Sequence, residues 1–214
     1  MPHLDASRFV ARARTLTSPQ EAREFYDAWA ETYDDDVYGT LGVIGTTRIA
    51  ALLGKFAANR DLHILDVGCG TGAGGKALRE LGFAVVDGLD LSPGMLAVAR
   101  RRGVYRHLIA ADLLQPPALR PESYDAILSA GTFTTGHVDA RPLPGLLDLV
   151  RPRGLLAFVV GSGFWSMGGF ETVVADLNAE GAVELVHCAE APIAADGRDL
   201  GHFLVLRRAA VRPA

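Results

Sequence analysis

From residue 62 onward, short apolar runs alternate with stretches whose apolar positions recur every three or four residues. The runs Leu62–Asp66, Ala84–Leu89, Tyr105–Ala110, Tyr124–Ser129, Leu155–Val160, Val183–His187 and His202–Arg207 predict seven strands. The stretches Gly72–Leu81, Pro93–Arg102, Pro142–Val150 and Phe170–Glu180 predict helices, with Pro93 in a first turn and Gly103 as a stop. Strand and helix in regular alternation imply an α/β fold around a mostly parallel sheet. The last two runs have no helix-length crossover between them, so they predict an antiparallel pair joined through Ala194–Gly201. Ahead of this core, Pro19–Tyr33 and Leu41–Ala58 predict two helices. Residues 1–60 are too few for a domain of their own. They are expected as a helical cap on a core of residues 61–214, packed on the sheet or folded over its active edge.

Composition narrows the function classes. With 214 residues, 49% of them hydrophobic and 21% charged, one sizeable core is expected. A net charge of −4 provides no positive field toward phosphate backbones or anionic lipid, so neither nucleic acid nor membrane is an expected partner. The segment Met1–Leu16 is interrupted by charges, and no later run is apolar for 18 residues, so the expected location is cytoplasmic. Cys69 and Cys188 are too few for a disulfide framework or a structural zinc site.

The densest signal is His63-Ile-Leu-Asp66-Val-Gly68-Cys69-Gly70-Thr-Gly72, a strand running through glycines into a helix. Glycines permit positive φ and close approach of a ligand, and the helix start offers free N–H groups. Asp66 at the strand end would repel a pyrophosphate but holds an ammonium, so the nucleotide implied carries a positive tail. The second strand ends at Asp90, where a doubly wound fold places the acid for ribose hydroxyls, flanked by Leu91 and followed by Met95. The third ends in Ala111-Asp112-Leu113, a spacing that suits an acceptor for an adenine amino group. Each acid alone reads as a loop carboxylate or helix cap. Three at successive strand ends describe one nucleoside cleft.

Through LDVGCGTG (65–72), GLDLSPGML (88–96), AADL (110–113) and YDAILSAGTF (124–133), the chain resembles the class I S-adenosylmethionine-dependent methyltransferases over about residues 60–208. The resemblance implies a Rossmann-like seven-stranded sheet with the last strand inserted antiparallel, S-adenosyl-L-methionine as cofactor, and Asp66 near the methionine amino group. It extends the cofactor set to Ser129 and Ala130 after the fourth strand. Arg151-Pro-Arg-Gly154 departs from the family's Pro-Gly-Gly turn, far from the cofactor. The stretch from Phe25 to Asp36 also resembles the opening of the Williams–Beuren-region methyltransferase-like proteins, which would make the first helix a lid carrying Tyr26 and Tyr33 over the cofactor.

Methyl transfer from a sulfonium disperses charge, so positioning in a dry pocket supplies most of the rate, and a base matters only for an acceptor that must lose a proton. His137, in the loop after the fourth strand, is the candidate base; the plainer reading, a loop histidine bonded to backbone, is the favoured one. Tyr38, Phe133, Phe164 and Trp165 are candidates for the acceptor wall beside His137. The spacing of Tyr26, Trp29 and Tyr33 equally suits one buried helix side, and for Trp29 that core reading is the stronger. The run Arg100–Arg102 reads as a solvated helix end, and Asp34–Asp36 likewise. No metal is expected, since Ser129 and Gly161-Ser162 stand where a metal-dependent methyltransferase would need further acids.

The rival from another class is an NAD(P)-dependent oxidoreductase, because Gly68-x-Gly70-x-x-Ala73 fits the relaxed dinucleotide fingerprint. Against it stand Asp66 and the lack of a Tyr-x-x-x-Lys pair, Lys55 and Lys76 being the only lysines. A cofactor-binding member of the methyltransferase fold without turnover is the non-enzymatic alternative. Enzymes that methylate exocyclic amines of bases carry Pro-Pro-aromatic after the fourth strand, where this chain has Ser129-Ala-Gly-Thr-Phe133. The expected acceptor is therefore a small molecule, with transfer to oxygen or nitrogen; protein side chains are the class left open.

Overall fold

The computed structural model describes residues 5–115 and 119–210; residues 1–4, 116–118 and 211–214, parts of the expected cap and core, lie outside the described residues. Four elements precede the sheet: α1 (Asp5–Ala13), α2 (Pro19–Trp29), a π-helical turn (Asp35–Thr40) and α3 (Gly45–Phe56). The core follows as β1 (His63–Val67), α4 (Ala73–Glu80), β2 (Val85–Asp90), α5 (Pro93–Arg102), β3 (Leu108–Ala110), β4 (Tyr124–Ser129), α6 (Leu143–Leu149), β5 (Val150–Gly161), a short 3₁₀ turn (Ser162–Phe164), α7 (Phe170–Ala179), β6 (Val183–Pro192) and β7 (Leu200–Arg208).

The seven strands run in the order β3-β2-β1-β4-β5-β7-β6. Strands β1 to β5 pair in parallel, and β7 is antiparallel to both its neighbours, β5 and β6. This is the mostly parallel sheet with an inserted antiparallel last strand that the sequence implies. Alternate residues of each buried strand feed two cores. On one face Ile64, Val86, Ala126 and Leu128 meet Ile49 and Leu53 of α3 and Leu78 of α4. On the other, Leu65, Ile127 and Phe158 meet Leu143 and Leu147 of α6 and Phe170 and Val174 of α7. Each Leu or Ile fully buried in this way contributes about 1.5–3 kcal/mol.

Local chemistry sets the helix ends. Ser92 caps α5 by accepting from the Met95 N–H at 3.0 Å, Pro93 opens it, and Gly103, at φ 67°, ends it. Ser18 caps α2 in the same way, accepting from the Glu21 N–H ahead of Pro19. Three departures from the sequence reading matter. Helix α1 is an addition, with Ala6 and Ala13 buried. Strand β3 keeps only the last three residues of its expected span, because Tyr105 turns away to bond elsewhere. The first segment also divides in two. Helix α3 joins the sheet's core, and the Ile44 and Gly45 N–H groups before it donate to the Ile193 carbonyl beyond β6. Helices α1 and α2 instead cover the C-terminal ends of the strands. No helix among the described residues is long and apolar enough to cross a membrane.

Candidate active site

The site begins where β1 stops. Gly68 turns at φ 67°, and both its N–H and that of Cys69 donate to the Leu89 carbonyl at 2.8 and 3.0 Å, tying the turn to β2. A Cβ on Gly68 would lie 1.8 Å from Thr132 Oγ1, so glycine is obligatory there on both backbone and packing grounds. Asp66 lies beneath the turn, 2% exposed, its Oδ2 accepting from the Tyr105 hydroxyl at 2.6 Å. The Gly75 N–H in turn donates to the Tyr105 oxygen at 3.0 Å. Burial pushes the Asp66 carboxyl up to about 7; the Tyr105 hydrogen bond opposes the rise and the nearby Asp90 adds to it. Asp90 accepts from the Gly70 N–H at 2.8 Å and the Ser92 N–H at 2.9 Å, and burial still raises its carboxyl above the ordinary range.

Above these strand ends lies a cavity of about 340 Å³, within the range of small-ligand sites. Its wall includes Asp66, Gly68, Cys69 and Gly70 from the turn; Asp90, Leu91 and Met95 after β2; Ala111, Asp112 and Leu113 after β3; and Ala130 and His137 after β4. Tyr26, Tyr33 and Tyr38 roof it, with Phe164 at one side. The tyrosines form a chain of ring contacts, Tyr26 to Tyr33 and Tyr33 to Tyr38, each at 6.2 Å between centroids. Burial keeps all three phenols neutral: it pushes Tyr38 up to about 12 and raises Tyr26 and Tyr33 well above their ordinary value. Trp29 is 2% exposed and packs on Phe9 and Tyr33, so it serves the roof's own core.

Four sequence candidates lie outside the cavity wall. Gly72, at φ 99°, leads into α4 with its open side toward Tyr105 and Arg102. The Ser129 hydroxyl donates to the Val67 carbonyl at 2.9 Å and knits β4 to β1. Phe133 is buried between Phe158 and Phe170. Trp165 packs on Phe170 and His202.

Two readings of charged runs need correction. Asp34 is no solvated end: it accepts from the Thr71 hydroxyl at 2.5 Å and pairs with Arg102, whose Nε donates to the Thr71 carbonyl at 2.9 Å. Arg102 thereby clamps the end of α5, the glycine turn and the roof together. Asp36 accepts from Trp29 Nε1 at 2.7 Å, and Arg101 pairs with Glu31. Asp27, unremarked in the sequence, accepts from the Ser92 hydroxyl at 2.5 Å and the Gly94 N–H at 2.7 Å, fixing α2 over the start of α5. Tyr105, Thr71 and the Asp139–Arg141 pair on the wall were equally unforeseen. His137 exceeds its plainer reading. Its Nδ1 meets the Thr135 carbonyl at 3.1 Å, and its Nε2 meets the Tyr26 hydroxyl at 2.6 Å. Burial lowers its pKa, so the ring is neutral at pH 7. Among the described residues no group of three or more His, Cys, Asp or Glu is placed to hold a metal ion.

Comparison with known proteins agrees with this geometry. A family model described as a methyltransferase domain matches residues 64–154. The human methyltransferase-like protein 27 is 36% identical over 151 residues, covering 69% of this chain and 60% of that protein. The malonyl-[acyl-carrier protein] O-methyltransferase of Serratia marcescens is 36% identical over 107 residues, covering 50% of this chain and 41% of that protein. The chain thus spans roughly half the length of these curated relatives. Among solved structures, the magnesium protoporphyrin IX methyltransferase of Synechocystis PCC 6803, with bound S-adenosylhomocysteine, superposes with a TM-score of 0.65 at 16% identity, covering 89% of this chain and 99% of that one. Residues 64–154 thus match a methyltransferase domain, and the chain is similar to class I S-adenosylmethionine-dependent methyltransferases in sequence and in sheet topology.

Proposed function

We propose that this protein transfers a methyl group from S-adenosylmethionine to an oxygen or nitrogen of a small-molecule acceptor. The observation that carries the reading is the convergence of Asp66, Asp90 and Asp112, from the ends of three successive strands, on one tyrosine-roofed cavity. The residues suit the cofactor's chemistry. A buried acid such as Asp66 calls for a cation, and the positive-φ glycines let a ligand lie directly on the backbone.

The cofactor supplies an electrophilic methyl group on a sulfonium centre. Asp66 would hold the ammonium, Asp90 would accept from the ribose hydroxyls, and Asp112 would accept from the adenine amino group. Tyr26, Tyr33 and Tyr38 exclude water and present ring faces that tolerate positive charge. Leu16, Pro19, Val138 and the Asp139–Arg141 pair, which line the same cavity and are not assigned to the cofactor, are left to face the acceptor. Net charge argues against a nucleic-acid acceptor, and similarity to the Serratia O-methyltransferase favours oxygen as the receiving atom.

Calorimetry with S-adenosylhomocysteine tests the reading. One site is expected, and Asp90→Ala should weaken it about ten- to a hundredfold, because charge-assisted hydrogen bonds are worth roughly 1.5–3 kcal/mol each. No heat with folded wild-type protein, or an unchanged constant in the variant, would remove the assignment.

A further inference from the structure

The contact between Tyr26 and His137 has a direction. The Thr135 carbonyl can only accept, so His137 Nδ1 carries the ring proton and Nε2 is left with a lone pair. The Tyr26 hydroxyl therefore donates to Nε2. Tyr26 comes from the roof and His137 from the loop after β4, 111 positions apart, and both line the cavity. The arrangement is held from behind: a Cβ on Gly136 would lie 2.5 Å from the Ala13 carbonyl oxygen, so the end of α1 rests directly on the histidine loop. The remaining acids and cations on the cavity wall are Asp66, Asp90, Asp112, Asp139 and Arg141, and Arg141 is already paired with Asp139.

We propose that Tyr26 and His137 form a proton relay, with Tyr26 as the group that touches the acceptor, and that the acceptor reacts through a hydroxyl. The proposal rests on the methyltransferase reading above. As the acceptor oxygen forms its bond to the methyl carbon, the carbon–sulfur bond breaks and leaves its electron pair on sulfur, giving a neutral thioether. The acceptor's proton passes to the Tyr26 oxygen while the Tyr26 proton passes to His137 Nε2. The imidazolium then loses its Nε2 proton to water. A carboxylate acceptor would have no proton to hand over and no use for a tautomer-fixed base. Because one half of the relay belongs to the roof, the base is complete only when α2 is docked.

Wild type, Tyr26→Phe and His137→Ala are compared in three measurements: calorimetry with S-adenosylhomocysteine, side-chain ¹⁵N NMR of His137, and transfer of labelled methyl from S-adenosylmethionine into an extract of the source organism. Tyr26→Phe should bind S-adenosylhomocysteine within threefold of wild type, shift the Nε2 resonance, and lose about 10²–10⁴ of the labelling rate. His137→Ala should lose a similar factor, together with the fall in rate that wild type shows at low pH as the imidazole protonates. The labelled product should be a methyl ether. An unmoved Nε2 resonance, labelling within threefold of wild type, a loss explained by weaker cofactor binding, or a labelled methyl ester would each overturn the relay. Wild type that binds S-adenosylhomocysteine but labels nothing overturns the relay and leaves a cofactor-binding protein. Wild type that fails to bind overturns the methyltransferase reading beneath it.

Discussion

The cavity has a floor and a roof built on opposite plans. The floor, from Asp66 to Gly72 and on through Asp90, is fixed by backbone: the turn's N–H groups bond Leu89 and Asp90, and at Gly68 nothing larger fits. The roof is fixed by side chains reaching across the chain, Asp27 to Ser92 and Gly94, Asp34 to Thr71 and Arg102, Tyr26 to His137. The floor's strength is steric and local. The roof's is electrostatic and partly exposed, since the Arg102 and Asp34 side chains keep 23% and 36% of their surface in solvent. A sterically fixed floor beneath an electrostatically latched roof would let one cleft hold a ligand tightly and still exchange it.

The contrast breaks most sharply at Gly68. Gly68→Ala puts a methyl group into Thr132 and forces a positive φ on a residue that resists it, so S-adenosylhomocysteine affinity should fall more than about a hundredfold by calorimetry. An affinity near wild type would mean that the floor adapts as easily as the roof.

A smaller effect follows from Asp66. The ionised carboxylate is the form that holds an ammonium, and burial raises its pKa to about 7. Affinity for S-adenosylhomocysteine should therefore be full above pH 7 and weaken by about tenfold per unit below it, a slope that Asp66→Asn should flatten. The ligand-free protein should show the opposite sign. A folded carboxyl titrating above its unfolded value of 3.8 gives stability that is full below about pH 4 and declines as pH rises to about 7, measurable by urea titration at several pH values.

The least effect belongs to the roof latch. Asp34→Asn weakens a pair already screened by solvent, so equilibrium affinity should drop less than about tenfold while the dissociation rate rises about three- to tenfold. The wild-type rate should approach the variant's between about 0.05 and 0.5 M salt in stopped-flow fluorescence. A latch insensitive to salt would make the roof as steric as the floor.

The same division explains what was legible in the sequence. Sheet, strand ends and glycine turn announce themselves through apolar runs and through residue types with local consequences, and Asp66, Asp90 and Asp112 line one cavity. Ser129 and Phe133 were misplaced because a strand-end motif does not say which of its side chains turn inward; both serve the core. Arg102 and Asp34 look like solvated charges because each is half of a pair separated by 68 positions. Tyr105 reads as a strand residue, and only the folded chain brings its hydroxyl to Asp66. Helix α1 did leave a trace, Ala6, Phe9 and Ala13 falling on one face, but three apolar positions in a charged segment are too few to mark a helix.

The hydrogen bonds of Asp27 have a consequence for how the protein comes into being. This residue is synthesised before its partner Gly94, which lies 67 positions later. Until α5 has been synthesised, α1 and α2 have nothing to dock on, and the loop that must close to seat them is long and entropically slow. Helices α1 and α2 are therefore made before α5 but dock only after it. The fold assembles with its pocket open to solvent, and docking α1 and α2 closes it.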